Sequence, residues 1–165
     1  MVSKVMTEIT DLLFSGGPMK TMFLGLSLIL LTISPAAALQ PDVIGHIQTL
    51  KGAASIMRGD KTVPAAVGVP LFSGDTIRTA KADSVGIVLT DDSTFSLGPD
   101  SEITLKDYLF NPKEGKFALV TRMAKGTFAY LSGMIGKLSP NSIRMEIPDA
   151  TIAVRGTRLL IKVDE

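Results

Sequence analysis

The chain has 165 residues, no cysteine, no tryptophan, 5% aromatic residues and a formal net charge of +1. That length is the expectation for one domain. Missing thiols exclude disulfides, thiolate nucleophiles and cysteine-based zinc sites. Balanced charge with few aromatics argues against nucleic-acid binding.

Residues 1–18 end in Ser15-Gly16-Gly17-Pro18, a flexible break before Met19-Lys20. They read as an N-terminal extension or the product of a misplaced start and are left out of the fold. Residues 19–38 have the layout of a secretory signal peptide. Lys20 supplies the positive flank, Met22 to Ile33 an apolar run of 12 residues, and Pro35 the break. Ala36 and Ala38 then sit at the two small-residue positions that signal cleavage requires. The run falls short of the roughly 20 apolar residues of a membrane span. Cleavage after Ala38 gives a mature chain starting at Leu39 and leaves no integral span. The alternative is retention of 19–39 as an anchor. No cysteine follows the run, so a lipoprotein anchor is excluded.

Beyond the signal, period two dominates. Ser84 to Thr90 is a nearly continuous apolar strand. Ser93–Leu97 and Ser101–Leu105 alternate strictly, and these three runs are spaced like weak rungs of a β-solenoid. Lys116–Leu131 fits both periods: Phe117, Val120, Ala124 and Phe128 follow a helical spacing, whereas Phe117, Leu119 and Thr121 alternate. Gly126 and Gly133-Met134-Ile135-Gly136 disfavour a long helix, so strands are expected. Ser142–Ile147 places Ile143, Met145 and Ile147 on one face and Arg144 and Glu146 on the other. Thr151–Val154 and Leu159–Val163 are two more strands. Turns fall between the runs at Arg58-Gly59-Asp60, Ser73-Gly74-Asp75, Asp91-Asp92, Gly98-Pro99-Asp100, Asn111-Pro112, Ser139-Pro140-Asn141, Pro148-Asp149 and Arg155-Gly156. The expected fold is all-β, one domain of many short strands in a folded-over or stacked sheet, sandwich- or solenoid-like.

Candidate chemistry is sparse. His46 is the single histidine, and as a strand residue without a partner it reads as outward-facing rather than as a base or ligand. Asp91, Asp92 and Asp100 fit turns better than paired acids or a calcium site. No nucleophile elbow and no phosphate loop occurs. Arg144, Arg155, Arg158 and Lys162 read as a solvated face, with an anionic partner as the alternative. No catalytic residue, no metal site and no cofactor is expected, and the chain is read as not an enzyme.

The order of motifs resembles the FecR protein domain family over residues 43–163. Gly45 to Arg58 is similar to an opening strand pair, and Val67 to Thr79, with Gly74-Asp75, to the family's glycine-aspartate stretch. Leu89–Ser93 and Leu97–Ser101 match two further hairpins, and Ile147 to Thr157, with Gly156-Thr157, the closing signature. Gly74, Asp75, Gly156 and Thr157 are taken as structural markers. The resemblance implies a β domain outside the cytoplasmic membrane, periplasmic or at the cell surface. In the best-known members it belongs to an iron-uptake signalling protein with an anti-sigma segment. The short stretch before the apolar run departs from that pattern. The expectation is therefore an exported, non-catalytic interaction module whose strand edges dock an envelope protein or cell-wall polymer. The alternatives are a tethered sigma-regulator-like protein and a polysaccharide-binding structural protein. Binding residues are unknown from sequence.

Overall fold

The computed structural model describes residues 42–154 and 158–164. The signal segment, with Ala36 and Ala38, lies outside the described residues, as do Arg155, Gly156 and Thr157.

Among the described residues, twelve strands form one continuous hydrogen-bonded system that folds over into two layers. The first layer runs β4 (Pro70–Leu71), β1 (Gly45–Lys51), β6 (Ser84–Leu89), β7 (Thr94–Leu97), the second half of β9 (Lys116–Leu131), and β12 (Arg158–Val163). The second runs β3 (Lys61–Pro64), β2 (Ala54–Arg58), β5 (Thr76–Thr79), β8 (Glu102–Asn111), the first half of β9, β10 (Ile143–Ile147) and β11 (Ala150–Ala153). All pairings are antiparallel except β9 with β10. That parallel pair is joined through a short helix, α1 (Met134–Leu138), and a 3-10 turn at Pro140–Ser142.

β9 is the strand the layers share. Leu119 to Arg122 pair with β10, and Gly126 to Leu131 pair with β12. Its bend falls at Gly126, whose φ of +100° is a conformation side-chain-bearing residues rarely adopt. The ambiguous segment 116–131 is thus one strand, and the helical reading is overturned. Gly133–Gly136 does enter a helix, but one of only five residues.

Alternation explains the core. Ile47, Ile87, Phe95, Leu97, Phe128 and Tyr130 point inward from the first layer, and Ile56, Ile77, Ile103, Leu119, Met123 and Met145 from the second. All belong to one buried cluster. Phe95 and Tyr130 pack with ring centroids 4.8 Å apart, and they face each other across the β7–β9 register.

Two expectations need correction. The opening strands β1 and β2 do not pair: the chain crosses from the first layer to the second at Gly52-Ala53. Gly98–Ser101 does not close a hairpin either. It carries the chain from β7 in the first layer to β8 in the second, with Asp100 at φ +48°. In both places a turn residue marks a corner between layers rather than a reversal within one.

One buried polar atom is unsatisfied among the described residues. Thr121 Oγ1 on β9 is fully buried and has no hydrogen-bond partner. Thr121→Val keeps the shape and removes an orphaned hydroxyl, so it should stabilise the domain by about 1 kcal/mol. A Tm rise of roughly 4 °C by calorimetry is the expected reading.

Candidate functional site

Three buried polar clusters, around Asp91, Asp75 and Thr79, are consumed by the fold. Asp91, between β6 and β7, is fully buried. Its carboxylate accepts from Ser93 N–H at 3.2 Å, Ser93 Oγ at 2.8 Å, Tyr108 O–H at 3.2 Å and the α1 amide of Ile135 at 3.1 Å. Ser93 Oγ in turn accepts from Gly133 N–H at 3.0 Å and lies 3.3 Å from the Tyr130 hydroxyl. Gly133 has no room for a side chain, since a Cβ would collide with the backbone of Asp91 and Ser93. The cluster therefore pins the β9–β10 crossover onto the β6–β7 turn.

The second cluster surrounds Asp75. Arg58 forks onto it with Nε at 2.9 Å and an η nitrogen at 2.8 Å, and Phe72 N–H donates at 3.0 Å. The guanidinium also donates to Pro70 C=O and lies 4.3 Å from the Phe72 ring centroid. Its bonds to Asp75 raise the Arg58 pKa above the usual arginine value. Preceding Asp75, Gly74 has φ +89°, so this corner needs glycine for its backbone and aspartate for its bonds. In the third cluster Thr79 Oγ1 donates to Gly98 C=O and accepts from Ser101 N–H, and Ser101 Oγ accepts from Thr127 N–H.

Asp75 and Asp91 are sealed from solvent and fully engaged, so neither reaches a solute. Asp92 and Asp100 occupy positive-φ turn positions. His46 is exposed on β1. Among the described residues no group of three or more His, Cys, Asp or Glu is placed to hold a metal ion.

The chain's two tyrosines, Tyr108 and Tyr130, give the clusters a pH signature. Burial is the main cause that raises both phenol pKa values. The unfolded chain ionises near pH 10 while the folded one stays protonated. The tyrosine contribution is thus fully present below about pH 10 and is lost as pH rises towards the folded values. Phenolate absorbance should stay flat past pH 10 and then rise together with loss of far-ultraviolet circular dichroism. A gradual titration without unfolding would contradict this burial.

The two outer faces differ in kind. Ion pairs cover the second layer: Arg78–Glu102 at 2.7 Å and Lys106–Glu146 at 2.9 Å, with Arg122 and Arg144 beside them. The strands of the first layer carry no acidic residue, and their exposed cations, Lys51, Arg158 and Lys162, lie at strand ends and on the β12 edge. One cross-strand row reads His46, Val88, Thr94, Leu131, Arg158, and the next Thr49, Gly86, Ser96, Ala129, Leu160. Leu131 is 52% exposed and Leu160 70% exposed. Small side chains in the second row leave a shallow cleft of about 460 Å³ over Ser96, Thr127, Ala129 and Leu160, with Lys162 on its rim. A second cleft of about 250 Å³ adjoins it over Thr94, Leu131 and Arg158. Sequence reasoning missed this face. Its signal was available as the small residues Gly86, Thr94, Ser96, Thr127 and Ala129 on β6, β7 and β9.

The sheet edges also differ. β3 contains Lys61 and Pro64, β4 is two residues long and begins with Pro70, and β12 carries Arg158 and Lys162. Charge and proline of this kind discourage edge pairing. β11 has neither.

The family model described as FecR protein matches residues 75–165. The match opens at Asp75, so β1 to β4 precede it, and it spans the closing stretch that holds Gly156 and Thr157. No curated protein and no solved structure matches the chain.

Proposed function

The chain belongs to the FecR protein family, and on that premise we propose that it is an exported, non-catalytic binding module of the bacterial envelope, acting in the periplasm or at the cell surface. The observation that carries the reading is the outer face of the first layer, whose strands bear no acidic residue and where Leu131 and Leu160 are exposed beside two open clefts bordered by Arg158 and Lys162. Exposed apolar side chains beside an arginine, with Asp and Glu absent, match the composition of protein interfaces, where arginine is enriched and carboxylates are depleted. Of the candidate acids in the sequence, Asp91 is spent on the fold, and Asp92 and Asp100 occupy exposed positive-φ turn positions. An envelope protein is therefore the favoured partner over a cell-wall polymer, because the face lacks both aromatic platforms and a dense array of hydrogen-bonding charges. Among the described residues no helix is long and apolar enough to cross a membrane.

Site-specific photo-cross-linking in the producing cells tests the reading. A probe replacing Leu160 should give a discrete protein adduct that Leu131→Glu abolishes, while a probe at Lys106 on the charged face gives none. Equal adducts from both faces, or retention of the purified protein on isolated cell wall, would overturn it. Intact mass of the recovered protein should correspond to a chain starting at Leu39. A retained 19–39 segment would instead favour the tethered regulator.

A further inference from the structure

We propose that the β11 edge is a self-association site, on which a second copy of this chain adds its own β11 antiparallel about a two-fold axis. β11 pairs with β10 and with no other described strand. Ala150, Thr151 and Ala153 are exposed and Ile152 is half-buried. Its four residues are small or apolar, so neither charge nor proline opposes an incoming strand.

The register on β10 fixes which surface an incoming strand meets. Ile152 stands opposite buried Met145 and so faces inward, while Thr151 stands opposite Glu146 and Ala153 opposite Arg144 on the outer face. The Pro148-Asp149 turn closes on the pair Ile147 and Ala150. By the alternation of an antiparallel pair, Thr151 and Ala153 then turn their backbone N–H and C=O groups away from β10. These are the groups a second strand would bond.

Two-fold pairing centred on Ile152 sets Thr151 against Ala153 of the second copy, and the reverse. Both outward residues of each strand are then used, and inward residues meet inward residues as the sheet's period requires. One outer row then reads Arg144, Ala153, then Thr151 and Glu146 of the second copy. The symmetry repeats that row in the opposite sense. Opposite charges thus flank small side chains at both ends of an isologous contact. Centring the axis on Thr151 would instead place Glu146 and Glu146 of the second copy on one row and use fewer backbone groups. Arg144 has no ion-pair partner among the described residues, whereas Glu146 is held by Lys106 at 2.9 Å.

The contact is short, so the dimer is weak, and it leaves the outer face of the first layer open in both copies. Sedimentation velocity on the protein recovered from its producing cells, over a concentration series, tests the proposal. A monomer–dimer equilibrium is expected. Arg144→Glu should weaken it about twofold to threefold at low ionic strength, by placing like charges on each row, with the difference shrinking as salt is added. The charge-swapped double variant Arg144→Glu with Glu146→Arg should restore it. Thr151→Pro, which removes an outward N–H, should abolish the dimer while leaving the circular dichroism spectrum unchanged. A monomer at every concentration overturns the proposal. So does a dimer that survives both Arg144→Glu and Thr151→Pro.

Discussion

Asp91→Ala is expected to cost about 4 kcal/mol of folding stability. The carboxylate receives two backbone amides and two hydroxyls inside the core. Truncation leaves those donors facing a cavity, and each orphaned buried group costs about 1–3 kcal/mol. Two of the donors, Tyr108 and Ile135, come from elements 17 and 44 residues away. The change therefore loosens β8 and α1 from the β6–β7 turn together. A domain of this size has only about 5–15 kcal/mol in hand. In urea, with a slope of about 1.5 kcal/mol/M, the midpoint should fall by roughly 2–3 M. Ser93→Ala removes fewer bonds and should cost less. A midpoint shift for Asp91→Ala below that of Ser93→Ala would contradict the network.

Gly126→Ala should be comparably damaging, at about 3 kcal/mol or more. Two independent costs add. The φ of +100° strains any side-chain-bearing residue. An added Cβ would also lie 2.5 Å from the Cα of Ser101 and 2.6 Å from its Cβ. Backbone is involved, so a rotamer change at Ser101 cannot relieve the clash. Ser101 Oγ accepts from Thr127 N–H next to the bend, and that bond must break for the strands to separate. Gly59→Ala is the internal control: its φ is also positive, but no atom lies within 4 Å of the added carbon. It should carry strain alone, and thermal unfolding of the pair separates the clash from the dihedral cost.

The difference between those glycines also shows what the sequence makes legible. Strands with unbroken alternation, such as Ser93–Leu97 and Ser142–Ile147, can be read directly because one buried face imposes period two. The continuation of β8 to Asn111 escaped because the register shifts between Leu105 and Asp107. After that bulge the inward set moves from Ile103 and Leu105 to Tyr108 and Phe110, and the apparent alternation dissolves. β1 hides its end similarly, with inward Ile47 followed by Leu50 across a bulge. Gly74-Asp75 is visible as a turn, but its arginine, 17 residues upstream, is not. Asp91 looks like any turn aspartate because its burial comes from partners distant in the chain. The outer face of the first layer is least legible of all, since its character depends on which residues neighbouring strands bring side by side. Ala36 and Ala38 remain expectations of the sequence, lying outside the described residues, and Gly156 and Thr157 share that position.

The sharing of β9 between the layers has a kinetic consequence. Earlier strands β7 and β8 and later strands β10 and β12 all pair with β9. A chain delivered from its N-terminus gains no complete layer until Leu131 has emerged, and the last strand still has to find β9. Most pairings join segments far apart in sequence, which places folding in the slow, millisecond-to-second range. Neither layer then has an independent folding nucleus. Amides of Ile103 and Phe95, one from each layer, should exchange with solvent through the same opening event, at one common free energy.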